Sequence, residues 1–275
     1  MKINKILNNN AVVVKEGTEE KIVMGAGIAF QKRKNDVINQ HKIEKIFVMS
    51  EENEKFQELL RSLPEEVIDI AEEIISYAEG YLQVPLSNHI HIGLTDHLSF
   101  AINRTKSGYP IKNKLLNEIK TLYAKEFHVG EWAIRYVKEQ IGLTMPEDEA
   151  GHIALHIHTA KLDSSNMQSA IKHTSMITEL LELLEERIGY PLQRNSISHQ
   201  RMVTHLHFAL NRFEMNEPFH DIDPDMLDLI KSKHEEAYRY AQAMGEYVEQ
   251  EYNVSFPLSE VGYIALHIQR IIDRT

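Results

Sequence analysis

The chain of 275 residues contains no cysteine, which excludes a disulfide framework and any thiolate metal site. That absence fits a reducing compartment. The N-terminal run Met1-Lys2-Ile3-Asn4-Lys5-Ile6-Leu7-Asn8 has no long apolar stretch. It reads as neither a secretory signal nor a membrane span, so the expected location is cytoplasmic. There is no Gly-rich phosphate loop, no Gly-x-Ser-x-Gly elbow and no His-Glu-x-x-His run. Each of those absences removes a common hydrolase or nucleotide-binding chemistry. No low-complexity segment interrupts the chain. Hydrophobic content of 43% and charged content of 26% suit an ordinary folded protein with a sizeable core.

Positive charge is also scarce, and it is unevenly placed. The formal net charge is −11, which argues against a protein coated in nucleic acid. Yet residues 1–49 carry nine Lys/Arg against five Asp/Glu, whereas the remainder carries 21 against 36. A small basic head on an acidic body points to a polyanion partner for the head alone.

What is present is a repeat. Thr95-Asp96-His97-Leu98-Ser99-Phe100-Ala101-Ile102-Asn103-Arg104 returns as Val203-Thr204-His205-Leu206-His207-Phe208-Ala209-Leu210-Asn211-Arg212. Gly151-His152-Ile153-Ala154-Leu155-His156-Ile157 returns as Gly262-Tyr263-Ile264-Ala265-Leu266-His267-Ile268. The offsets are 108 and 111 residues, so order and spacing are kept. This period is too long for a solenoid unit and fits a duplicated domain with one early and one late histidine per copy.

Residues 1–49 read as short antiparallel strands: Lys2–Ile6, Ala11–Val14, Lys21–Met24, Ile28–Gln31 and Ile43–Val48, with turns at Asn8-Asn9-Asn10 and Glu16-Gly17-Thr18. So thin a core calls for a dimer partner. From Glu51 onward the spacing turns helical. Helices are expected from Pro64 to Ile75, Leu115–Val137, Met176–Ile188, Met226–Tyr252 and Glu260–Ile272. The copies end in Pro-led helices, at Pro146-Glu147-Asp148-Glu149 and Pro257-Leu258-Ser259-Glu260. The expected organisation is a β domain at 1–55 and two homologous all-α bundles at 64–168 and 169–275. Asp163-Ser164-Ser165-Asn166 serves as the linker.

Helical spacing puts His97, Phe100, Ala101 and Arg104 near one face. Three roles are open to the repeated histidines. They can pack in a core or interface, and duplication would copy that too. They can bind metal, since His152, His156 and His158 have suitable spacing, but His152 becomes Tyr263 and His158 becomes Gln269 in the second copy. Or a neutral imidazole can accept a phosphoryl group, with Arg104 and Arg212 as pairing partners. A metal-binding enzyme or sensor and a helical interaction scaffold are therefore the alternatives to a phosphate-responsive regulator.

Ile6-Leu7-Asn8-Asn9-Asn10 and Val23-Met24-Gly25-Ala26-Gly27-Ile28-Ala29-Phe30-Gln31-Lys32 resemble the co-antiterminator RNA-binding domain of BglG/SacY/LicT-type transcriptional antiterminators. Leu94-Thr95-Asp96-His97 and Pro146–Ile157 resemble the first phosphotransferase-system regulation domain of that family. Val203-Thr204-His205-Leu206 and Ile264-Ala265-Leu266-His267-Ile268 resemble the second. The resemblance covers essentially the whole chain in the family's domain order.

It implies a small antiparallel β-sheet domain that dimerises and binds an RNA hairpin whose formation excludes an overlapping terminator, followed by two all-α bundles. It implies no enzyme activity and no cofactor. It further implies phosphorylation of His97, His156, His205 and His267. The first pair would answer a sugar-specific enzyme II permease and inhibit; the second would answer the carrier HPr and activate. The RNA-binding positions would be Lys5, Asn8, Asn10, Gly25, Ala26, Gly27, Phe30, Gln31 and Lys32. The family usually has Gly-Arg-Gly where this chain has Gly25-Ala26-Gly27, so a cationic contact is missing there.

Overall fold

The computed structural model describes residues 1–16, 19–48, 57–58, 60–161, 167–194 and 196–273. The expected linker at 163–166 and most of the expected turn at 16–18 lie outside the described residues.

The N-terminal segment forms a four-stranded antiparallel sheet in sequence order, β1 (Lys2–Asn8), β2 (Ala11–Glu16), β3 (Glu19–Met24) and β4 (Lys45–Val48). Alternation along the strands makes two apolar faces. Ile3, Val12, Val14 and Val23 pack with Ile28, Ala29 and Ile38 on one face. Leu7, Ala11, Val13, Ile22 and Met24 pack with Leu60 and Ile68 on the other. The second face is thus covered from within the chain, by residues that follow the sheet.

Ile28–Gln31 is not a strand. Gly27 and Gln31 both have positive φ, and Phe30 N–H donates to the Gly27 carbonyl in a tight turn. Ile28 and Ala29 are apolar because the turn folds them under the sheet, not because they pair along it. Gly25 is needed for packing. A Cβ there would lie 1.7 Å from the Lys42 carbonyl oxygen, where no side chain fits.

The helices are α1 (Glu65–Leu82), α2 (His89–Lys106), α3 (Leu116–Leu122), α4 (Ala124–Ile141), α5 (Glu147–Lys161), α6 (Met167–Ile188), α7 (Ile197–Glu214), α8 (Pro224–Lys233), α9 (Glu235–Tyr252) and α10 (Leu258–Ile272). α1 starts after Pro64 with Glu65 and Glu66 in its first turn, where acids suit the helix dipole, and stops at Gln83 in the left-handed region. Two expected helices are each split. Leu115–Val137 breaks at Tyr123, and Met226–Tyr252 breaks at His234, whose φ of −128° and ψ of 48° leave the helical region. Neither break carries a Gly or Pro.

The chain divides into two compact units. One comprises 1–112 and 125–165; the other comprises 113–124 and 166–275. Residues 113–124, inside the first bundle by sequence expectation, therefore group with the second. Glu118 on α3 accepts from Arg194 there at 2.8 Å, and Ile119 is fully buried. Within the first unit, Ile70, Ile74 and Ala78 of α1, Leu94, Leu98 and Ala101 of α2 and Ile153 and Ile157 of α5 share one core. In the second, Leu180, Leu206, Ala241, Ile264 and Ile268 do the same. Each fully buried Leu or Ile contributes about 1.5–3 kcal/mol, so the cores rather than local propensity hold the bundles together. No helix among the described residues is long and apolar enough to cross a membrane.

Candidate functional sites

The early and late histidines of each copy come together. In the first, His97 on α2 and His156 on α5 have ring centroids 5.0 Å apart, and His152 lies 5.6 Å from His97. In the second, His205 on α7 and His267 on α10 are 4.7 Å apart with rings tilted by 29°. Side chains one turn apart share a helix face, which aligns His152 with His156. The third candidate metal-site histidine, His158, turns elsewhere and meets Glu126 at 3.2 Å. Among the described residues, no group of three or more His, Cys, Asp or Glu is arranged to hold a metal.

Each pair also has a buried acid. Glu149, fully buried on α5, lies 3.2 Å from His97 Nε2 and accepts from Arg104 at 2.5 Å. Glu260, 3% exposed on α10, lies 2.6 Å from His205 Nε2. Neither His–Glu contact is aligned as a straight hydrogen bond, so each is a close approach of the ring nitrogen to the carboxyl group. Burial alone would raise the Glu149 carboxyl. The nearby His97 and the hydrogen-bonded Arg104 guanidinium outweigh it and hold the group below the usual carboxylate range.

The two acids were not singled out as site residues from sequence, although both copies contain Pro-x-x-Glu-x-Gly. Their shared position three residues after the proline is the signal that identifies them.

The late histidines are neutral. Burial, aided by the neighbouring His97, pushes His156 down to about 3. Burial and His205 push His267 to about 4. The matched arginines differ. Arg104 grips Glu149, whereas Arg212 contacts His220 Nε2 at 2.9 Å. Phe100 does not join the inward face with His97, Ala101 and Arg104; it is 64% exposed, as its counterpart Phe208 is at 60%. Phe208, Thr204, His205 and His267 line an open groove on the second copy.

In the sheet domain, most of the candidate RNA-binding residues meet at one end. The Asn10 carbonyl accepts from Gly25 N–H at 2.9 Å, and Asn10 Oδ1 accepts from Gly27 N–H at 2.7 Å. Asn8 Oδ1 accepts from Asn10 N–H and its Nδ2 donates to the Leu60 carbonyl. The 8–10 turn and the 25–31 turn are thereby pinned together. Phe30 is 60% exposed, and Ala26, Gln31 and Lys32 are also exposed. Lys5 is elsewhere, in a shallow groove on β1 with Asn4, Ile6 and Lys34.

Acids face this end of the sheet. Glu65 accepts from Asn9 N–H at 2.9 Å, and Asp69 accepts from Asn10 Nδ2 at 3.1 Å. Glu44 accepts from Ala26 N–H at 3.0 Å. Glu72 on α1 bridges Lys45 of β4 at 3.0 Å and buried His91 of α2 at 2.6 Å. The acids crowd one another, and burial with the charges of Glu65, Glu44 and Glu72 pushes Asp69 up despite its bond to Asn10.

The comparisons with known proteins agree with this layout. Residues 1–56 match the CAT RNA binding domain family, and residues 72–160 and 178–271 each match the PRD domain family. The chain is 39% identical to the transcription antiterminator LicT of Bacillus subtilis, over 99% of both chains. It is 38% identical to the beta-glucoside operon antiterminator of Dickeya chrysanthemi, over 98% of this chain and 96% of that one. Among solved structures, the GlcT CAT-PRDI crystal structure aligns with a TM-score of 0.55 and 36% identity, over 59% of this chain and 98% of that chain. A basic sheet followed by two copies of one histidine-bearing bundle, matched end to end by such relatives, places the chain in the BglG/LicT family of transcriptional antiterminators.

Proposed function

We propose that this protein is a non-enzymatic, RNA-binding antiterminator that stabilises a hairpin in the nascent mRNA of a sugar-utilisation operon, under phosphotransferase-system control. The observation that carries this reading is the recurrence of an early and a late histidine beside a buried glutamate in both bundles. His97 and His156 form the inhibitory input, phosphorylated through a sugar-specific enzyme II permease. His205 and His267 form the activating input, phosphorylated by HPr. A phosphoryl group adds about −1.5 to −2 charge and three acceptor oxygens. Beside a buried carboxylate that charge repels, so it biases the packing of α2 on α5 or of α7 on α10.

The RNA-binding surface comprises Asn8, Asn10, Gly25, Ala26, Gly27, Phe30, Gln31 and Lys32, with Lys5 reaching the backbone from β1. Exposed Phe30 suits stacking on an unpaired base, and the Asn amides suit base edges. The active species is a homodimer through the sheet domain. Glu65 and Asp69 hold backbone and amide donors that an RNA acceptor would use, so a hairpin has to displace them.

The test uses the full chain and phospho-HPr, with and without the permease's phosphate-carrying domain, and maps phosphohistidine by mass. Label at His205 and His267 from phospho-HPr, and at His97 or His156 only with the permease domain, supports the assignment. Failure to label any of the four removes it and favours a scaffold in which the histidines only pack.

A further inference from the structure

The two bundles solve one chemical problem in the same way. In both, the early histidine turns Nε2 inward toward a buried carboxylate, and neither Nε2 has measurable accessible surface. The rings are not buried as a whole, since the side chains keep 17% exposure at His97 and 24% at His205. The exposed part of each ring therefore lies away from Nε2. A phosphoryl group is anionic and cannot approach a nitrogen that is shielded and faces a carboxylate. We propose that Glu149 and Glu260 are positioning residues for histidine phosphorylation: each keeps the proton on Nε2, so that Nδ1 is the atom that takes the phosphoryl group.

A neutral imidazole has one N–H and one lone pair, and the hydrogen bond made by one nitrogen decides which is which. With Nε2–H directed at the carboxylate, the lone pair is on Nδ1. That lone pair attacks the phosphorus of a phosphorylated carrier. The new Nδ1–P bond forms as the carrier's own bond to phosphorus breaks, and the bonding pair returns to the carrier's leaving atom. No other reactant is needed. As the bond forms, positive charge develops on the ring, and the carboxylate at Nε2–H is already placed to meet it. The contacts of 3.2 and 2.6 Å are out of line, a looseness common in sites without their reaction partner.

Arg104 explains how Glu149 keeps to this role. Its bond to the other carboxylate oxygen fixes the acid and favours the ionised form. The late histidine is presented differently: a Cβ on Gly93 would be 3.4 Å from His156 Nδ1, so that nitrogen packs against α2. The inference therefore concerns His97 and His205 alone.

The inference rests on these histidines being phosphoacceptors, and the experiment separates the two ideas. The full chain, labelled with nitrogen-15 in histidine, is phosphorylated by phospho-HPr with the permease domain present. Phosphorus–nitrogen coupling then identifies the modified atom. Phosphate on Nδ1 of His97 and His205 is the expected result; phosphate on Nε2 overturns the proposal while leaving the phosphoacceptor reading intact. No label on either histidine overturns both.

Glu149→Gln and Glu260→Gln keep the shape and remove the charge. Each should slow labelling of its own histidine by about 100-fold, the low end for a positioned proton-holding group, with labelling in the other bundle unchanged. Unchanged rates in both variants would reduce the acids to packing. The isomer assignment on the unaltered chain needs no variant, so a misfolded Glu149→Gln protein does not block the test.

Discussion

The two bundles are copies in sequence and differ in wiring. In the first, Glu149 is held by both His97 and Arg104, and buried His91 is tied through Glu72 to Lys45 of the sheet. In the second, Arg212 has turned to His220, and His199, the counterpart of His91, has neither ring nitrogen hydrogen-bonded among the described residues. Burial, with the nearby charge of Arg194, pushes His199 down to about 4. The difference teaches that duplication preserved the histidine–glutamate contact and let its supports diverge. The first copy has polar links reaching the RNA-binding sheet; the second keeps the site with fewer fixed partners.

The sharpest way to break this comparison is to remove the matched arginines. Arg104→Met leaves a fully buried carboxylate without its strongest partner and should cost about 3 kcal/mol, whereas Arg212→Met should stay within about 0.5 kcal/mol. Urea denaturation of the full chain measures both, and equal losses would end the distinction.

The histidine counterparts give the next effect. His91→Phe strips a bond from Glu72 and should cost about 1–3 kcal/mol, while His199→Phe removes unsatisfied polar atoms and should be neutral or stabilising. A larger loss at His199 would mean that its ring is held by more than packing.

A third prediction concerns the sheet end of the first unit. Glu65→Gln combined with Asp69→Asn in the full chain should tighten RNA binding by about three- to tenfold. That corresponds to roughly 1 kcal/mol, as exposed charge-assisted contacts are partly screened. The probe is a hairpin selected against the full chain from a pool with randomised internal loops. Asn10→Ala should weaken the same complex, and Ala26→Arg should strengthen it by restoring a cationic contact. If Asn10→Ala has no effect, the RNA surface is misplaced; if only the acidic pair has none, the carboxylates do not compete with RNA.

A further prediction concerns the response to acid. His156, His199 and His267 have folded values of about 3, 4 and 4, below their unfolded value near 6.5, so the unfolded chain binds more protons from about 6.5 down to about 3. Their contribution to stability is present above pH 6.5 and is lost as pH falls through the folded values. The urea midpoint should drop across that window, and a midpoint that rises instead would contradict the neutral assignments.

The repeat and the change from strand to helical periodicity made the architecture legible in the sequence. Three features were not. Ile28 and Ala29 read as a strand because buried turn residues are as apolar as paired ones. The breaks at Tyr123 and His234 have no Gly or Pro to mark them. Glu149 and Glu260 were hidden for a different reason: acids after a proline read as ordinary first-turn residues, favourable to any helix start. Their recurrence at the same step after proline in both copies, and their burial against histidine, separate them from Glu147 and Asp148.

The sheet face made by Leu7, Val13, Ile22 and Met24 rests on Leu60 and Ile68. Cutting the chain after residue 56 would therefore strip that face of its cover and put its apolar side chains in water. Such a fragment would be driven to bury that face in added contacts, which the intact chain does not need because Leu60 and Ile68 already cover it. Its affinity for RNA, however carefully measured, would describe a surface released from its neighbour, and the gap between fragment and whole would itself gauge how firmly α1 holds the sheet.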